Sequence, residues 1–410
     1  MTTDIVLFTR DLRVHDHQGL ATAADAGRVV PLFVRDPRVH ELGFATPNRT
    51  AFLHDALVDL RASLRDLGGD LVVRHGDAVD ETMALARQAG ARRIHVASDV
   101  SGFAQRREGK LRQAAAAHAI EVRATPVTVV PVGQLVASGG GPYRVFTPYW
   151  RAWRRARWRP IAGVPQRIRL PADLDPGELI APGREGCSPR LPAGGETVGR
   201  AALRSWTRDN LAAYPEHHND LAGDRTSRIS PYLHFGCLSA LEIATRLADR
   251  PGGEAFARQL AWRDFHHETT AHFPALSSRE LRPRGRTWRD DPDLLAAWKR
   301  GETGVPLVDA GMRQLLDEGW MHNRARLVTA SHLTKTLGID WRHGARHFLR
   351  WLVDGDIANN SANWQWVAGS GTDTRPNRTL NPHRQAARHD PDGTYVRRHG
   401  AGGDPSIAAR

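Results

Sequence analysis

The sequence predicts an α/β protein: a doubly wound domain with a parallel sheet, then a long connector, then an all-helical domain. Three observations predict this class, namely five short apolar runs before residue 125, a Gly- and Pro-rich stretch at 131–195, and helical spacing beyond it. Buried parallel strands appear as continuous apolar runs, and the helices between them cover both faces of the sheet. We therefore predict domains at 1–130 and 196–399, joined by the connector 131–195 and followed by a loose stub at 400–410.

The strands are predicted in order at the apolar runs 5–8, 29–34, 71–73, 94–96 and 120–122. Between them the clearest helix is 51–67, because Phe52, Leu60 and Leu64 fall on one of its faces. The first strand leads into residues 9–16 and not into a Gly-x-Gly-x-x-Gly turn, which disfavours a nicotinamide dehydrogenase. Further helices are predicted at 241–247 and 308–316.

The composition limits the classes of function. The 410 residues include 57 Lys and Arg against 45 Asp and Glu, and the net charge of +12 favours an anionic partner, with nucleic acid first. Only two cysteines, Cys187 and Cys237, are present, which excludes a disulfide framework, a four-cysteine zinc site and an all-cysteine iron–sulfur cluster. Because neither a signal segment nor an apolar run of membrane-spanning length is found, we expect a cytoplasmic monomer without membrane contact.

Tryptophan is the most unevenly distributed residue, with eight of the twelve between residues 262 and 366. Each ring by itself can be explained as core packing, because an indole buries a large area. Eight in one helical domain favour a further role. Indoles stack on bases and flavins, and they are the side chains most easily oxidised by one electron.

Two polar segments are candidates for ligand contacts. Thr226-Ser-Arg-Ile-Ser230 offers hydroxyls, backbone amides and a guanidinium to a diphosphate, although such turns often only cap helices. Asp354-Gly-Asp356, followed by two asparagines, offers acceptors and donors to the edge of a heterocycle, although Asp-Gly is also common in ordinary turns. A zinc site on His267 and the next histidine is excluded, since the two lie five residues apart and diverge on a helix.

Longer motifs point to one family. They are Phe8-Thr-Arg-Asp-Leu-Arg13, Tyr143-Arg-Val-Phe-Thr-Pro148, residues 226–230, Trp262-Arg-Asp-Phe265, Gly304-Val-Pro-Leu-Val-Asp309, Trp320-Met-His-Asn-Arg324 and residues 354–366. With these motifs in this order, the sequence resembles the class I photolyases of the photolyase/cryptochrome family, which are light-driven DNA repair enzymes. The resemblance implies an α/β antenna domain and a helical FAD domain, in agreement with the fold class predicted above.

The resemblance also implies a folded, U-shaped FAD in the helical domain. The residues it assigns to the phosphates and ribityl chain are Tyr214, Thr226, Ser227, Arg228, Ile229 and Ser230. Those it assigns to the isoalloxazine are Asp354, Gly355 and Asp356, with Arg326 paired to Asp354 and the neutral amide of Asn360 facing flavin N5. Further cofactor contacts are implied at Gln259, Trp262 and Arg263.

The implied activity is redox repair of ultraviolet-damaged DNA. An electron passes from light-excited, reduced FAD to a cyclobutane pyrimidine dimer, the ring splits, and the electron returns. The lesion leaves the duplex to reach the flavin, and the residues implied around it are Gln259, Trp262, Asn323, Arg324, Leu327 and Trp366. A relay of three indoles is implied at Trp364, Trp341 and Trp298, with Trp364 nearest the flavin and Trp298 at the surface.

Three positions depart from the common pattern of the family. Gln259 stands where many photolyases of this kind have Glu, His218 where an Arg that touches DNA is often found, and Leu327 where Met is common. The (6-4) photolyases need two histidines where this chain has Asn323 and Leu327, so the resemblance favours cyclobutane dimers as the substrate.

Two rival functions and one further cofactor complete the expectations. A cryptochrome-like photoreceptor is disfavoured by Asn360, where plant cryptochromes have Asp. An inactive, C-terminally truncated homologue is suggested by the Gly-rich end that follows His399, where the family usually continues through packed helix. A second antenna chromophore, deazaflavin or folate, is expected near Arg49 and Asp99.

Overall fold

The computed structural model describes residues 2–400 and confirms the predicted fold class. Five parallel strands form one sheet with the order β3-β2-β1-β4-β5. The strands are β1 Thr2–Leu7, β2 Gly27–Arg35, β3 Val72–His75, β4 Ala91–Ser98 and β5 Glu121–Pro126. The helices around them are α1 Gln18–Ala26, α2 Arg38–Glu41, α3 Pro47–Asp66, α4 Ala78–Gln88 and α5 Gly102–Ala116. Each predicted apolar run overlaps one strand, whereas the stub predicted at 400–410 lies, apart from Gly400, outside the described residues.

Strand β1 shows why these runs form central strands. Ile5 and Leu7 pack into the core on one face of the sheet, whereas Val6 and Phe8 pack into the core on the other. All four side chains are at most 2 % exposed. Because successive strand residues point to opposite faces, an unbroken apolar run fits a strand that is covered on both sides.

The connector contains more regular structure than the sequence analysis predicted. Helix α6, Phe146–Arg155, lies within it and buries Phe146, Tyr149, Trp150 and Trp153. These positions follow the i, i+3, i+4, i+7 spacing of one helix face, so the signal was present and was obscured by the surrounding Gly and Pro. The rest of the connector runs along the α/β domain as an extended chain and donates, for example, the amide of Ile168 to the carbonyl of Leu67 at 2.7 Å.

The second half is helical, as predicted. Its helices are α7 Glu196–Asp209, α8 Tyr214–His217, α9 Ser230–Phe235, α10 Ala240–Leu247, α11 Gly253–His272, α12 Pro292–Arg300, α13 Pro306–Glu318, α14 Asn323–Ser331, α15 Trp341–Trp351, α16 Ile357–Ala368, α17 Pro382–His389 and α18 Thr394–His399, with a π-helical turn at His332–Thr336. Trp298, Trp341 and Trp364 lie in the centre of its core. The boundaries at 130 and 195 remain a prediction.

The two halves share a core and a buried ionic cluster. Phe52 of α3 stacks on Phe235 of α9 with ring centroids 4.8 Å apart. The sheet order reverses between β1 and β4, and the carboxyl ends of strands at such a point form a crevice that commonly binds ligands. In this protein the crevice holds Arg10, which contacts Asp99 at 3.0 Å and, across the domain boundary, Asp356 at 2.5 Å.

Burial determines the electrostatics of this cluster. By itself burial would raise the pKa of Asp356, but the guanidinium of Arg10 and nearby His267 hold that pKa well below its ordinary value. The same pair of effects acts on Asp99, where Arg10 outweighs burial and lowers the pKa. Both carboxylates are therefore ionised, and both depend on one cation.

Within residues 2–400, no helix combines the length and the apolar character that crossing a bilayer requires.

Replacing Arg10 with Met tests the cluster. It would leave Asp99 and Asp356 buried without their cation, so the free energy of unfolding should fall by about 3–5 kcal/mol. The measurement is a urea titration followed by circular dichroism. As a control, Arg112→Met removes an exposed pair with Glu108 and should cost less than about 1 kcal/mol. Equal, small losses in both variants would contradict the structural role of Arg10.

Candidate functional site

The main cavity lies in the helical domain and has a volume of about 430 Å³. This is the size of sites that enclose a cofactor or a drug-sized molecule. The predicted site residues that line it are Tyr214, Thr226, Ser227, Arg228, Ile229, Ser230, Gln259, Trp262, Arg263, Asn323, Arg326, Leu327, Asp354, Asp356 and Trp366. Residues that are far apart in sequence thus converge on one cavity.

A second cavity of about 80 Å³ adjoins the first. Asn323, Arg326, Leu327 and Asp354 line both, whereas Gly355, Asn360 and Trp364 line only the smaller one. The amide of Asn360 is buried, and its Nδ2 donates to the carbonyl of Ala345 at 3.0 Å. This bond fixes the orientation of the Asn360 amide beside the cavity.

The segment 226–230 forms one wall of the main cavity. Arg228 has φ +49°, a left-handed conformation that is unusual for a residue with a side chain. Its guanidinium lies 4.4 Å from the ring centroid of Trp320 and contacts Glu318 at 2.8 Å. The indole of Trp320 in turn donates to Ser230 Oγ at 3.0 Å. The strained turn is therefore held in place from both ends.

The hydroxyl of Thr226 gives the clearest sign of a missing partner. Its Oγ1 is buried and has no hydrogen-bond partner among the described residues, although Thr226 lines the main cavity. Buried polar atoms are almost always hydrogen-bonded. The residues of this wall therefore fit a ligand that carries polar oxygens, such as the diphosphate of a dinucleotide.

The acidic residues of the site are already engaged by the protein. Arg326 donates to both carboxylate oxygens of Asp354, at 3.1 and 2.8 Å, which is the pair that the resemblance implied. Asp356 accepts the amide of Asn359 at 2.8 Å and so caps the N-terminus of α16. Both carboxylates therefore have fixed partners within the protein.

Three indoles line the main cavity, namely Trp320 of the wall described above and two more, Trp262 and Trp366, from other helices. Trp262 of α11 stacks on Phe146 of α6, with centroids 3.6 Å apart and planes 9° apart. Trp366 of α16 has the exposed guanidinium of Arg378 at 5.3 Å from its ring centroid. Gln259, one turn before Trp262, lines the same cavity. The arrangement can hold a flat, partly polar ligand between aromatic walls.

Trp298 is not where it was predicted, whereas the predicted contact of Arg324 with DNA stays a prediction. Arg324 lines neither cavity, and it donates to Asn219 Oδ1 at 2.6 Å. Trp298, predicted at the surface, is completely buried, because α12 packs it into the helical core with its centroid 6.0 Å from that of Trp364. The surface position of Trp298 is therefore wrong.

A half-buried indole near the predicted relay was missed. Trp288 packs against the same core, and the amide of the next residue, Arg289, donates to the carbonyl of Gly338 at 2.8 Å. This bond brings the segment of Trp288 beside the start of α15, where Trp341 is completely buried. The local sequences differ, since Trp298 follows the apolar run 294–297, whereas Trp288 stands among Arg, Thr and Asp.

Arg49 and Asp99 contact the protein and not an antenna pocket. Arg49 donates to the carbonyls of Leu349 and Leu352 at the end of α15. Burial lowers the pKa of Arg49 to about 10. Asp99 belongs to the ionic cluster with Arg10. Their predicted role at a chromophore therefore receives no support from their contacts.

Several residues that line the main cavity were missed as site residues, among them Arg10, His234, His266 and Asn359. His266 Nδ1 lies 3.1 Å from Asn359 Oδ1, and burial lowers the pKa of His266 to about 4, so this imidazole is neutral near pH 7. Its spacing of seven from Gln259 and four from Trp262 on α11 could have identified it. Arg10 comes from the other domain, which local patterns do not reveal.

Comparisons with known proteins agree with this site. Two family sequence models match the chain: "DNA photolyase" over residues 4–166 and "FAD binding domain of DNA photolyase" over residues 256–400. The deoxyribodipyrimidine photo-lyase of Streptomyces griseus is 52% identical and covers 97% of this chain and 89% of its own length.

Solved structures give the same result. A bacterial class III photolyase from Agrobacterium tumefaciens has a TM-score of 0.90 at 33% identity, covering 97% of this chain and 86% of that one. The cryptochrome of Synechocystis sp. has a TM-score of 0.89 at 31% identity, covering 97% of this chain and 88% of that one. Fold and site together define a two-domain flavin-binding protein. The chain belongs to the DNA photolyase family, within the photolyases and cryptochromes.

The orphaned hydroxyl of Thr226 leads to a test of the cavity wall. Thr226→Val should weaken FAD binding about fivefold, because one hydrogen bond of about 1 kcal/mol is lost. Equilibrium dialysis with FAD fluorescence measures the affinity. The matched control is Thr207→Val, whose hydroxyl is also buried and without a partner but lines neither cavity. An equal affinity in the two variants would contradict a contact between Thr226 and FAD.

Proposed function

We propose that this protein is a deoxyribodipyrimidine photo-lyase that repairs cyclobutane pyrimidine dimers in ultraviolet-damaged DNA under blue light. The observation that carries the proposal is the location of the main cavity. It lies largely in the part of the chain that matches the FAD-binding domain, and it presents three indoles and neutral amides to one space. The relative from Streptomyces griseus, at 52% identity, supports the same activity.

FAD fits the residues that are present. The wall formed by residues 226–230 would hold its phosphates, with Thr226 Oγ1 among the donors, and Tyr214 would lie beside them. Asp354, Gly355 and Asp356 would line the flavin ring, with their charges balanced by Arg326 and Arg10. When bound, FAD supplies the light absorption and the one-electron chemistry that the repair requires.

The lesion would lie between the indole walls of the main cavity. A dimer that has left the duplex presents two non-planar pyrimidines, and Trp262 and Trp366 would contact their apolar sides. Gln259 and Asn323 line the cavity and would donate amide hydrogen bonds to the pyrimidine carbonyls, and Leu327 lines the same cavity and would add an apolar contact. Arg324 is left out of this set because it lines neither cavity.

Asn360 would act on the flavin from the smaller cavity. Its amide is fixed by the carbonyl of Ala345, which leaves the side-chain oxygen free as an acceptor. A neutral group at this position adds no negative charge beside a reduced flavin, and this favours repair over a photoreceptor function. The Synechocystis cryptochrome is similar in fold, but the relative at 52% identity is a photo-lyase.

We also propose that Trp364, Trp298 and Trp341 belong to an indole relay that reduces the flavin. The indoles of Trp364 and Trp298 are in edge contact, with centroids 6.0 Å apart. Since Trp298 and Trp341 are both completely buried, the half-buried Trp288 is the candidate for the end that meets solvent. Trp288 thus takes the surface position in the relay that the resemblance had implied for Trp298.

Other assignments stay proposals. Class I is favoured by the motifs of the sequence analysis, although the class III structure is also similar. A deazaflavin or folate antenna in the α/β domain is proposed without Arg49 and Asp99 as its ligands. A cytoplasmic monomer is proposed from the basic charge and the two free cysteines.

Blue light with a dimer-containing oligonucleotide tests the proposed function. Purified, reduced protein should be coloured by FAD and should restore the intact pyrimidines, as followed by ultraviolet absorbance and chromatography. The same mixture in the dark is the control and should show no change. A coloured protein that leaves the dimers intact would favour the photoreceptor, and a colourless protein would favour the inactive homologue.

Trp364→Phe tests the relay. Because Phe is far harder to oxidise than an indole, the oxidised flavin of this variant should be photoreduced about tenfold more slowly or worse. The rate is read from the flavin absorbance during illumination with an external reductant. Trp150→Phe is the matched control, since this indole is buried in α6 and lines neither cavity. Equal rates in the two variants would remove Trp364 from the relay.

A further inference from the structure

The connector helix α6 lines neither cavity but supports one wall of the main cavity through an aromatic stack. The phenyl ring of Phe146 lies flat against the indole of Trp262, with centroids 3.6 Å apart and planes 9° apart. Phe146 is buried, whereas Trp262 is half-buried and lines the cavity. One face of the indole is thus covered by the connector, and the part of Trp262 that lines the cavity is available to a ligand.

Further contacts fix this stack. Phe265 meets both rings edge-on, with centroids 5.8 Å from that of Phe146 and 5.8 Å from that of Trp262. The guanidinium of Arg258, one turn before Trp262, lies 5.5 Å from the centroid of Phe146. The indole therefore has a defined plane before any ligand binds, because stacked and edge-on contacts each favour one ring orientation.

The position of α6 against α11 is fixed by one buried carboxylate. Asp264 Oδ2 accepts the indole Nε1 of Trp153 at 2.9 Å and the backbone amides of Val129 and Val130 at 2.9 and 3.0 Å. Asp264 lies two residues after Trp262 on α11, so the same short stretch anchors the connector and presents the wall of the cavity. The connector is thereby part of the site and not only a link between domains.

The second indole, Trp366, has no such aromatic stack among the described residues. It packs partly against the helical core, and the exposed guanidinium of Arg378 lies 5.3 Å from its ring centroid. A cation that remains in solvent holds an indole only weakly. The two indoles therefore differ, because Trp262 is stacked on a buried ring and Trp366 is not.

We propose that Phe146 is a positioning residue, which acts as one unit with Trp262 and makes that indole the fixed wall of the lesion pocket. The inference rests on the proposed function, because it takes a flipped pyrimidine dimer as the ligand. Phe146 does not touch the dimer. It sets the plane against which the dimer is recognised, so its loss should reduce the preference for damaged over undamaged DNA.

A double-mutant cycle on the full-length, FAD-loaded protein tests the unit. The variants are Phe146→Leu, Trp262→Leu and the two combined, and the measurement is the Kd for one oligonucleotide with and without a single thymine dimer. Phe146→Leu should raise the Kd for the damaged strand about 5–10-fold, the range expected for an aromatic pair. It should leave the Kd for the undamaged strand within about twofold.

The cycle separates positioning from general loss of structure. Without the indole of Trp262, Phe146 has no ring to orient. The double variant should therefore bind the dimer no more weakly than Trp262→Leu alone. Phe146→Tyr keeps a flat ring and should recover most of the affinity. Phe103→Leu is the matched control, because Phe103 also has arginines beside its ring, Arg38 and Arg107, but Phe146 and not Phe103 is stacked on a residue that lines a cavity.

Several results would contradict the positioning role of Phe146. Additive losses in the double variant, or an unchanged ratio of the two Kd values in Phe146→Leu, would overturn the positioning role. Equal losses in Phe103→Leu would also overturn it, since any aromatic deletion would then have the same effect. If the wild-type protein does not prefer the damaged strand, the proposed function fails first, and this inference fails with it.

Discussion

The structure depends on one cation between two buried carboxylates. Arg10 follows the end of β1, and its guanidinium contacts Asp99 after the end of β4 and Asp356 of the helical domain. In a doubly wound sheet this crevice is normally open to a ligand. Here it is filled by the helical domain, and charges that would be costly to bury alone are neutralised across the boundary.

This cluster also positions the helix that carries most of the site. Asp356 is both the partner of Arg10 and the N-cap of α16. From that cap, α16 presents Asn360 and Trp364 to the smaller cavity and Trp366 to the larger one. The orientation of the predicted flavin contacts thus follows from an interaction with the other domain, and this explains why the two domains need a fixed relation.

How much could be predicted from the sequence depends on how local each feature is. The strands were predicted because unbroken apolar runs such as that around Ile5 are a local signal of a covered strand. The pair of Arg326 and Asp354 was implied by long motifs. The burial of Trp298 and the engagement of Arg49 and Asp99 by protein partners were not predictable, because they depend on which helices pack together. Helix α6 was predictable, since its aromatic spacing is visible in the sequence.

The charges in the site also indicate the kind of chemistry it supports. Among the described residues that line the two cavities, the carboxylates are Asp354 and Asp356, and both are paired with arginines. His266 is neutral near pH 7, because burial lowers its pKa to about 4. General acid–base catalysis needs a group that titrates near the working pH, which an imidazole with the low pKa of His266 does not provide. The aromatic planes, fixed amides and balanced charges of the two cavities instead suit the positioning of a cofactor and a lesion while electrons move between them.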